Sequence, residues 1–201
     1  QTGILKMQIQ EDWHQIAGIL YEELHQLVPF AGCGIAMVDL VRRSFYTYDL
    51  SSQGVRRGEV CSFLPRSLEE AVRTQKPVYR RNRRELEAWG DNVGPERNSV
   101  LDVPFAGGTL AINSEEENGF SGQDTQLLER FAQVLSEAYT RLRSIQHQET
   151  LNQVRQAVWR MERVEDLRQV LKIMAGQLQR LEILFDNLGV QIVSQTSDPP
   201  A

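Results

Sequence analysis

Two groups of side chains have the types and spacing to do chemistry. Tyr46, Tyr79, Trp89 and Arg97 combine aromatic faces with a guanidinium, a set that suits the wall of a concave ligand cavity. The same four serve equally well as core and loop anchors. Arg80, Arg81, Arg83 and Arg84 form a basic run. Guanidinium groups grip carboxylates and phosphates bidentately, so the run fits an anion clamp. The plainer and leading reading is a solvated edge strand running into a helix start. Cys33 and Cys61 are too few for a disulfide framework or a cysteine zinc site. His14, His25 and His147 are widely scattered. The sequence offers no nucleophile–base pair, no metal-ligand cluster and no glycine-rich phosphate loop. It reads as a chain that is not an enzyme and holds no metal.

The composition narrows the class. The chain has 201 residues, 41% hydrophobic and 24% charged, with a net charge of -5. A packed core is feasible, and length suggests one full domain and part of another. An acidic balance argues against a nucleic-acid partner. No apolar run approaches the roughly 20 residues that span a bilayer, and no signal-peptide succession opens the chain. The expected location is cytoplasmic, without membrane contact by this segment.

The elements that would position these residues follow from periodicity. Ile16, Leu20, Leu24 and Leu27 give residues 11–27 a helical stripe that Pro29 and Gly32 end. Residues 33–40 are apolar on both faces and predict a central, doubly covered strand. Residues 44–50 alternate and pair back on it. Residues 67–75 predict a short helix, with Ser67 and Glu70 at capping-box spacing. A brief strand follows Pro77, then a helix over 83–89 and a loop over 90–98. Residues 99–105 and 108–114 predict a hairpin across Ala106-Gly107, with Gly107 and Gly108 supplying positive φ. A long helix over 123–162 comes next. Its apolar seams are heptad-like, with phase breaks between Ile145 and Leu151 and near Val164. Leu151, Val154, Val158 and Met161 fill a and d positions and predict a parallel homodimer seam; packing on the protein's own elements is the alternative.

The chain also resembles itself. Glu11, Asp12, Gln15, Ile16, Leu24 and Leu27 match Glu165, Asp166, Gln169, Val170, Leu178 and Leu181 at an offset of 165 − 11 = 154. After a one-residue slip, GIAMV from Gly34 meets GVQIV from Gly189, at 189 − 34 = 155. A shared helix-to-strand transition is more than two amphipathic helices have in common by default. The expected division is a module over 1–144, a helical linker over 145–164, and over 165–201 the start of a truncated second copy.

Several motifs resemble one family in their order and spacing. Ser99, Leu101, Val103 and Pro104 form a Ser-x-Leu-x-Val-Pro strand, and Gly108 to Asn113 a Gly-x-Leu-x-Ile strand. Phe120, Ser121 and Asp124 follow, then a Leu-Leu-x-x-Phe-Ala helix from Leu127 to Ala132. Residues 11 to about 142 are similar in these respects to a GAF domain, and the repeat would open a second one. The resemblance implies an α+β fold, an antiparallel sheet flanked by helices with a long C-terminal signalling helix. It implies a non-enzymatic sensor module of a bacterial signalling protein, binding a small molecule or relaying a conformational signal through a dimeric helix. A ligand-free dimerisation scaffold is the alternative.

The chemical branches of the family fit less well. Asn113, Phe120 and Asp124 match the cyclic-nucleotide motif, but Ser114 and Thr125 stand where it has Lys and Glu. Its Lys–Asp ion pair cannot form. No Cys-His pair is present for a bilin, and Cys61 with Phe63 is only faintly similar to a second-cysteine motif. Haem lacks an axial ligand in the expected pocket, and the cysteines do not reproduce the set used by free-methionine-sulfoxide reductases. The cofactor is left unknown. The residues expected at a ligand are Tyr46, Cys61, Phe63, Tyr79, Trp89, Arg97 and Ser99.

Overall fold

The computed structural model describes residues 2–91, 93–181 and 186–190, with side chains from Trp13 onward except that of Arg180. It separates into two compact units, Gln1–Thr140 and Arg141–Ala201.

In the first unit, helix α1 (Thr2–Leu27) leads into strands β1 (Gly32–Asp39), β2 (Ser44–Ser51) and β3 (Gly54–Arg57). Helix α2 (Arg66–Thr74), strand β4 (Val78–Arg80), helix α3 (Arg83–Trp89) and the hairpin β5 (Ser99–Phe105)–β6 (Gly108–Ser114) follow. Helix α4 (Gly122–Trp159) then leaves the unit. The six strands form one antiparallel sheet in the order β3-β2-β1-β6-β5-β4. Residues 33–40 were expected at its centre, and β1 is there, between β2 and β6.

Alternation along the strands gives the sheet two unlike faces. On one, Ile35, Leu110, Ile112, Leu101 and Phe105 are fully buried. Each such side chain contributes about 1.5–3 kcal/mol by leaving water. Trp13 of α1 packs on this face, with ring centroids 6.3 Å from Tyr48, 6.2 Å from Phe105 and 6.1 Å from Tyr139 of α4. The other face carries α2: Ala36, Leu64 and Leu68 form a small cluster with Val38 and Phe45.

Two expectations about local chemistry change. The hairpin turn needs its special backbone at Gly108, φ 157°, and not at Gly107. A Cβ on Gly108 would lie 1.8 Å from the carbonyl oxygen of Ala36. Hydrogen is the only side chain that admits this approach of β6 to β1. Nor is Ser67 a helix cap: α2 begins after Pro65 without a side-chain cap bond. The Ser67 hydroxyl instead donates to Asp91 Oδ1 at 2.5 Å, so burial redirects it.

In the second unit, the end of α4 meets helix α5 (Leu167–Arg180), which follows a 3₁₀ turn over Val164–Asp166. Gln177 Nε2 donates to Gln153 Oε1 at 2.6 Å, and Val170 is buried. The backbone N–H groups of Glu162 and Arg163, each 3.0 Å away, hold the Asp166 carboxyl below the usual carboxylate range. The long helix ends at Trp159 rather than 162, and it is continuous through the phase break after Ile145. Of the expected seam, Leu151 and Val158 are about half exposed, while Val154 and Met161 are half-buried. Of the repeat's second strand, 191–193 lies outside the described residues, and residues 189–190 have no regular structure.

Candidate ligand cavity

A cavity of about 770 Å³ opens on the α2 face of the sheet. Its origin is local. Where the opposite face carries Ile35, Leu110 and Ile112, this face carries Gly34, Ala36 and Ala111, all of which line the cavity. In register, Asp49, Gly34, Ala111 and Asp102 form one row across β2, β1, β6 and β5. Small side chains in mid-row leave a trough that α2 and the segment after α3 roof over without filling. Phe45, Leu68, Val93 and Val100 supply apolar wall.

A buried ionic network lies in that wall. Arg80, 2% exposed, donates from Nε to Asp91 Oδ2 at 2.7 Å and from Nη2 to Asp102 Oδ2 at 2.5 Å. Its Nη1 donates to the Val78 carbonyl at 2.8 Å. Thr109 Oγ1 donates to Asp102 Oδ1 at 3.0 Å, as Ser67 does to Asp91. Every carboxylate oxygen thus has a donor, the condition under which buried charge is tolerated. Asp91 is aimed by the end of α3: Gly90, at φ 75°, turns the chain, and Asp91 N–H donates to Leu86 O at 3.0 Å. Arg83 Nη1 donates to Gly94 O at 2.9 Å, and Arg97 N–H to the same oxygen at 3.1 Å. This places Arg97 on the cavity rim, with its Nε 3.8 Å from Glu96.

The basic run therefore divides. Arg80 is neither a solvated edge residue nor a free clamp, because two carboxylates hold it. Arg83 ties down the loop, and Arg81 lies with its guanidinium 5.0 Å from the Tyr79 ring.

Of the seven expected ligand residues, Arg97 lines the cavity and the other six lie elsewhere. Tyr79 and Ser99 point to the opposite face. Tyr79 accepts the Phe120 N–H at 2.9 Å, and Ser99 donates to Glu116 O at 2.8 Å. Tyr46 is also on that face, under the Arg57 guanidinium at 4.3 Å. Trp89 lies 5.1 Å from the Arg66 guanidinium. Cys61 is exposed and bridges Phe45, and Phe63 is 69% exposed. Asp102, Asp91, Ala111 and Ser67 were not singled out as site residues; Arg80 was, as part of the basic run. A signal for Asp102 existed, a lone Asp within Ser-Val-Leu-Asp-Val-Pro-Phe, and one for the trough itself in the small residues alternating with large ones in Gly-Ile-Ala-Met-Val.

Burial pushes the Cys33 thiol up to about 12, which disfavours the nucleophilic thiolate. Among the described residues, no group of three or more His, Cys, Asp or Glu is placed to hold a metal ion, and no helix is long and apolar enough to cross a membrane.

No family model and no curated protein matches the chain. Solved structures do. The GAF domain of an Acinetobacter phosphoenolpyruvate-protein phosphotransferase is 18% identical at a TM-score of 0.54, over 72% of this chain and 95% of that one. A domain of a two-component sensor histidine kinase protein from Sinorhizobium meliloti is 13% identical, TM-score 0.45, over 68% and 97%. A free methionine-R-sulfoxide reductase from Neisseria meningitidis is 16% identical, TM-score 0.48, over 70% and 87%. The fold is GAF-like: a six-stranded antiparallel sheet flanked by helices, with a 38-residue helix α4.

Proposed function

We propose that this chain is a regulatory, ligand-sensing module of a signalling protein, with the cavity on the α2 face as its sensing site. The observation that carries the reading is a trough of about 770 Å³ walled by a fully bonded ionic network. Its volume falls within the roughly 300–1,000 Å³ of small-molecule sites. A buried network costs desolvation, and a solid apolar core at the same place is often neutral or more stable. Its presence beside a cavity supports a role in recognition. The high pKa of Cys33, the cysteine that lines the cavity, speaks against a thiolate nucleophile at this site. Residues from about 165 open a second module of the same kind, as the repeat suggests. Native mass spectrometry of the purified chain tests the reading. A bound small molecule that Ala111→Phe removes is the expected result; an empty cavity with every extract offered refutes it.

The second reading, a dimerisation scaffold, is favoured by the exposure of Leu151 at 52% and Val158 at 47% at heptad spacing on α4. Sedimentation of the chain and of its Leu151→Glu, Val158→Glu double variant decides it. A dimer that the substitutions dissociate supports the scaffold, and a monomer at tens of micromolar removes it.

A further inference from the structure

The charges that line the cavity are not evenly placed. In its buried wall, two carboxylates, Asp91 and Asp102, face one guanidinium, Arg80, and their side chains are 3–5% exposed. The formal sum there is one negative charge. Asp49, further along the same face, is paired with Arg56 at 3.0 Å and adds nothing to the sum. At the rim, Arg97 is 42% exposed with its carboxylate neighbour at 3.8 Å. The inner wall is therefore negative, while the rim, where Arg97 and Glu96 offset each other, is formally neutral with a guanidinium at hand.

An unbalanced charge in a low-dielectric wall draws a counter-charge into the space beside it. Each carboxylate oxygen of Asp91 and Asp102 accepts one hydrogen bond and has a second lone pair to offer. An ammonium group, with three donors and no acceptor, fits that demand; a carboxylate or phosphate does not. Beyond the polar wall, Phe45, Leu68 and Val100 offer apolar surface for a short carbon skeleton.

We propose that the cavity takes a small organic amine in its protonated form, the ammonium group against Asp91 and Asp102. Any acidic group of the ligand lies at Arg97. This rests on the cavity being the sensing site, and it names the chemistry of what is sensed.

Three probes with one branched skeleton test it by calorimetry on the full chain: leucine, 3-methylbutylamine and 4-methylpentanoate. Leucine and the amine bind, and the acid does not. Arg97→Gln weakens leucine about tenfold and leaves the amine unchanged, since one charge-assisted contact is lost. Asp102→Asn keeps an acceptor for Thr109 and leaves Arg80 paired one-to-one with Asp91. It removes the excess charge and abolishes amine binding while the folded circular dichroism spectrum is retained. If Asp102→Asn does not fold, Asp91→Asn takes its place with the same expectation. Binding of the acid in preference to the amine overturns the proposal, as does amine binding that survives both Asn variants, or silence from both amine-bearing probes. The sensor reading fails separately. If native mass spectrometry finds a neutral or anionic molecule that Ala111→Phe displaces, the site stands and the amine is wrong.

Discussion

Replacing Gly108 by Ala tests how β6 is joined to β1. The added Cβ would lie 1.8 Å from the Ala36 carbonyl oxygen and 2.9 Å from its carbon. An ordinary carbon–oxygen contact is about 3.3 Å, so the strands must separate by more than 1 Å at this point. The obstacle is backbone in the central strand and cannot turn aside as a side chain would. Separation strains the Met37↔Gly108 pairing and the bond from Val38 N–H to Gly107 O, 3.1 Å long. Overpacking costs about 1–3 kcal/mol and a weakened backbone bond about 1 kcal/mol more. A loss of about 3 kcal/mol is expected, a large share of the roughly 5–15 kcal/mol of a domain. At about 3 °C per kcal/mol, the melting temperature falls by about 10 °C. Urea unfolding followed by circular dichroism reads the loss. Gly107→Ala is the control: the atoms it would meet are Met37 Cε, Phe105 Cε2 and Tyr139 Cε1, all side-chain ends, so its cost stays near 1 kcal/mol. A Gly108→Ala protein within about 0.5 kcal/mol of the parent would refute this account of the hairpin.

Asp102→Ala leaves Arg80 balanced by Asp91 but takes the acceptor from two buried donors, Arg80 Nη2 and Thr109 Oγ1; urea unfolding should show a loss of about 2–3 kcal/mol, and an effect under about 1 kcal/mol would mean that water reaches the site. Gly18 of α1 has open space where its Cβ would go, so Gly18→Ala should stabilise the protein by about 0.5–1 kcal/mol in the same assay. Cys33, raised from 9.0 to about 12, keeps its proton in the folded state after the unfolded chain has lost its own. Its contribution is present below about pH 9 and declines by up to about 1.4 kcal/mol per unit above it, so the stability of the parent relative to Cys33→Ala should fall between about pH 8 and pH 10. Iodoacetamide should label exposed Cys61 in the native protein and buried Cys33 only after denaturation.

The fold was more legible than the site, and particular residues show why. Residues 83–89, 99–105 and 108–114 coincide with α3, β5 and β6, because caps, glycines and alternation are local signals. Strand β3, Gly-Val-Arg-Arg, was missed: four residues at a sheet edge bury only part of one Val and leave no pattern to read. The cavity needs knowledge of which face each strand turns inward, and this register is not local. Tyr46 and Tyr79 had the right chemistry but the wrong parity. Arg80 looked solvated because its neighbours in sequence are, whereas its carboxylate partners come from 11 and 22 residues away.

The unequal faces of β1 separate two kinds of inheritance within one eight-residue strand. Odd positions (Cys33, Ile35, Met37) commit the chain to its core, and a change there is felt by the whole fold. On the even side, Gly34 and Ala36 still touch Tyr48 backbone and the Leu64–Leu68 cluster, but their neighbour Ala111 borders empty space and carries less of that commitment. Enlarging Ala111 by a methyl or two alters the shape of what can enter while the packed side of the sheet is left alone. Under the proposed sensing role, a lineage exchanges one signal for another by drift at such positions, with folding as a bystander.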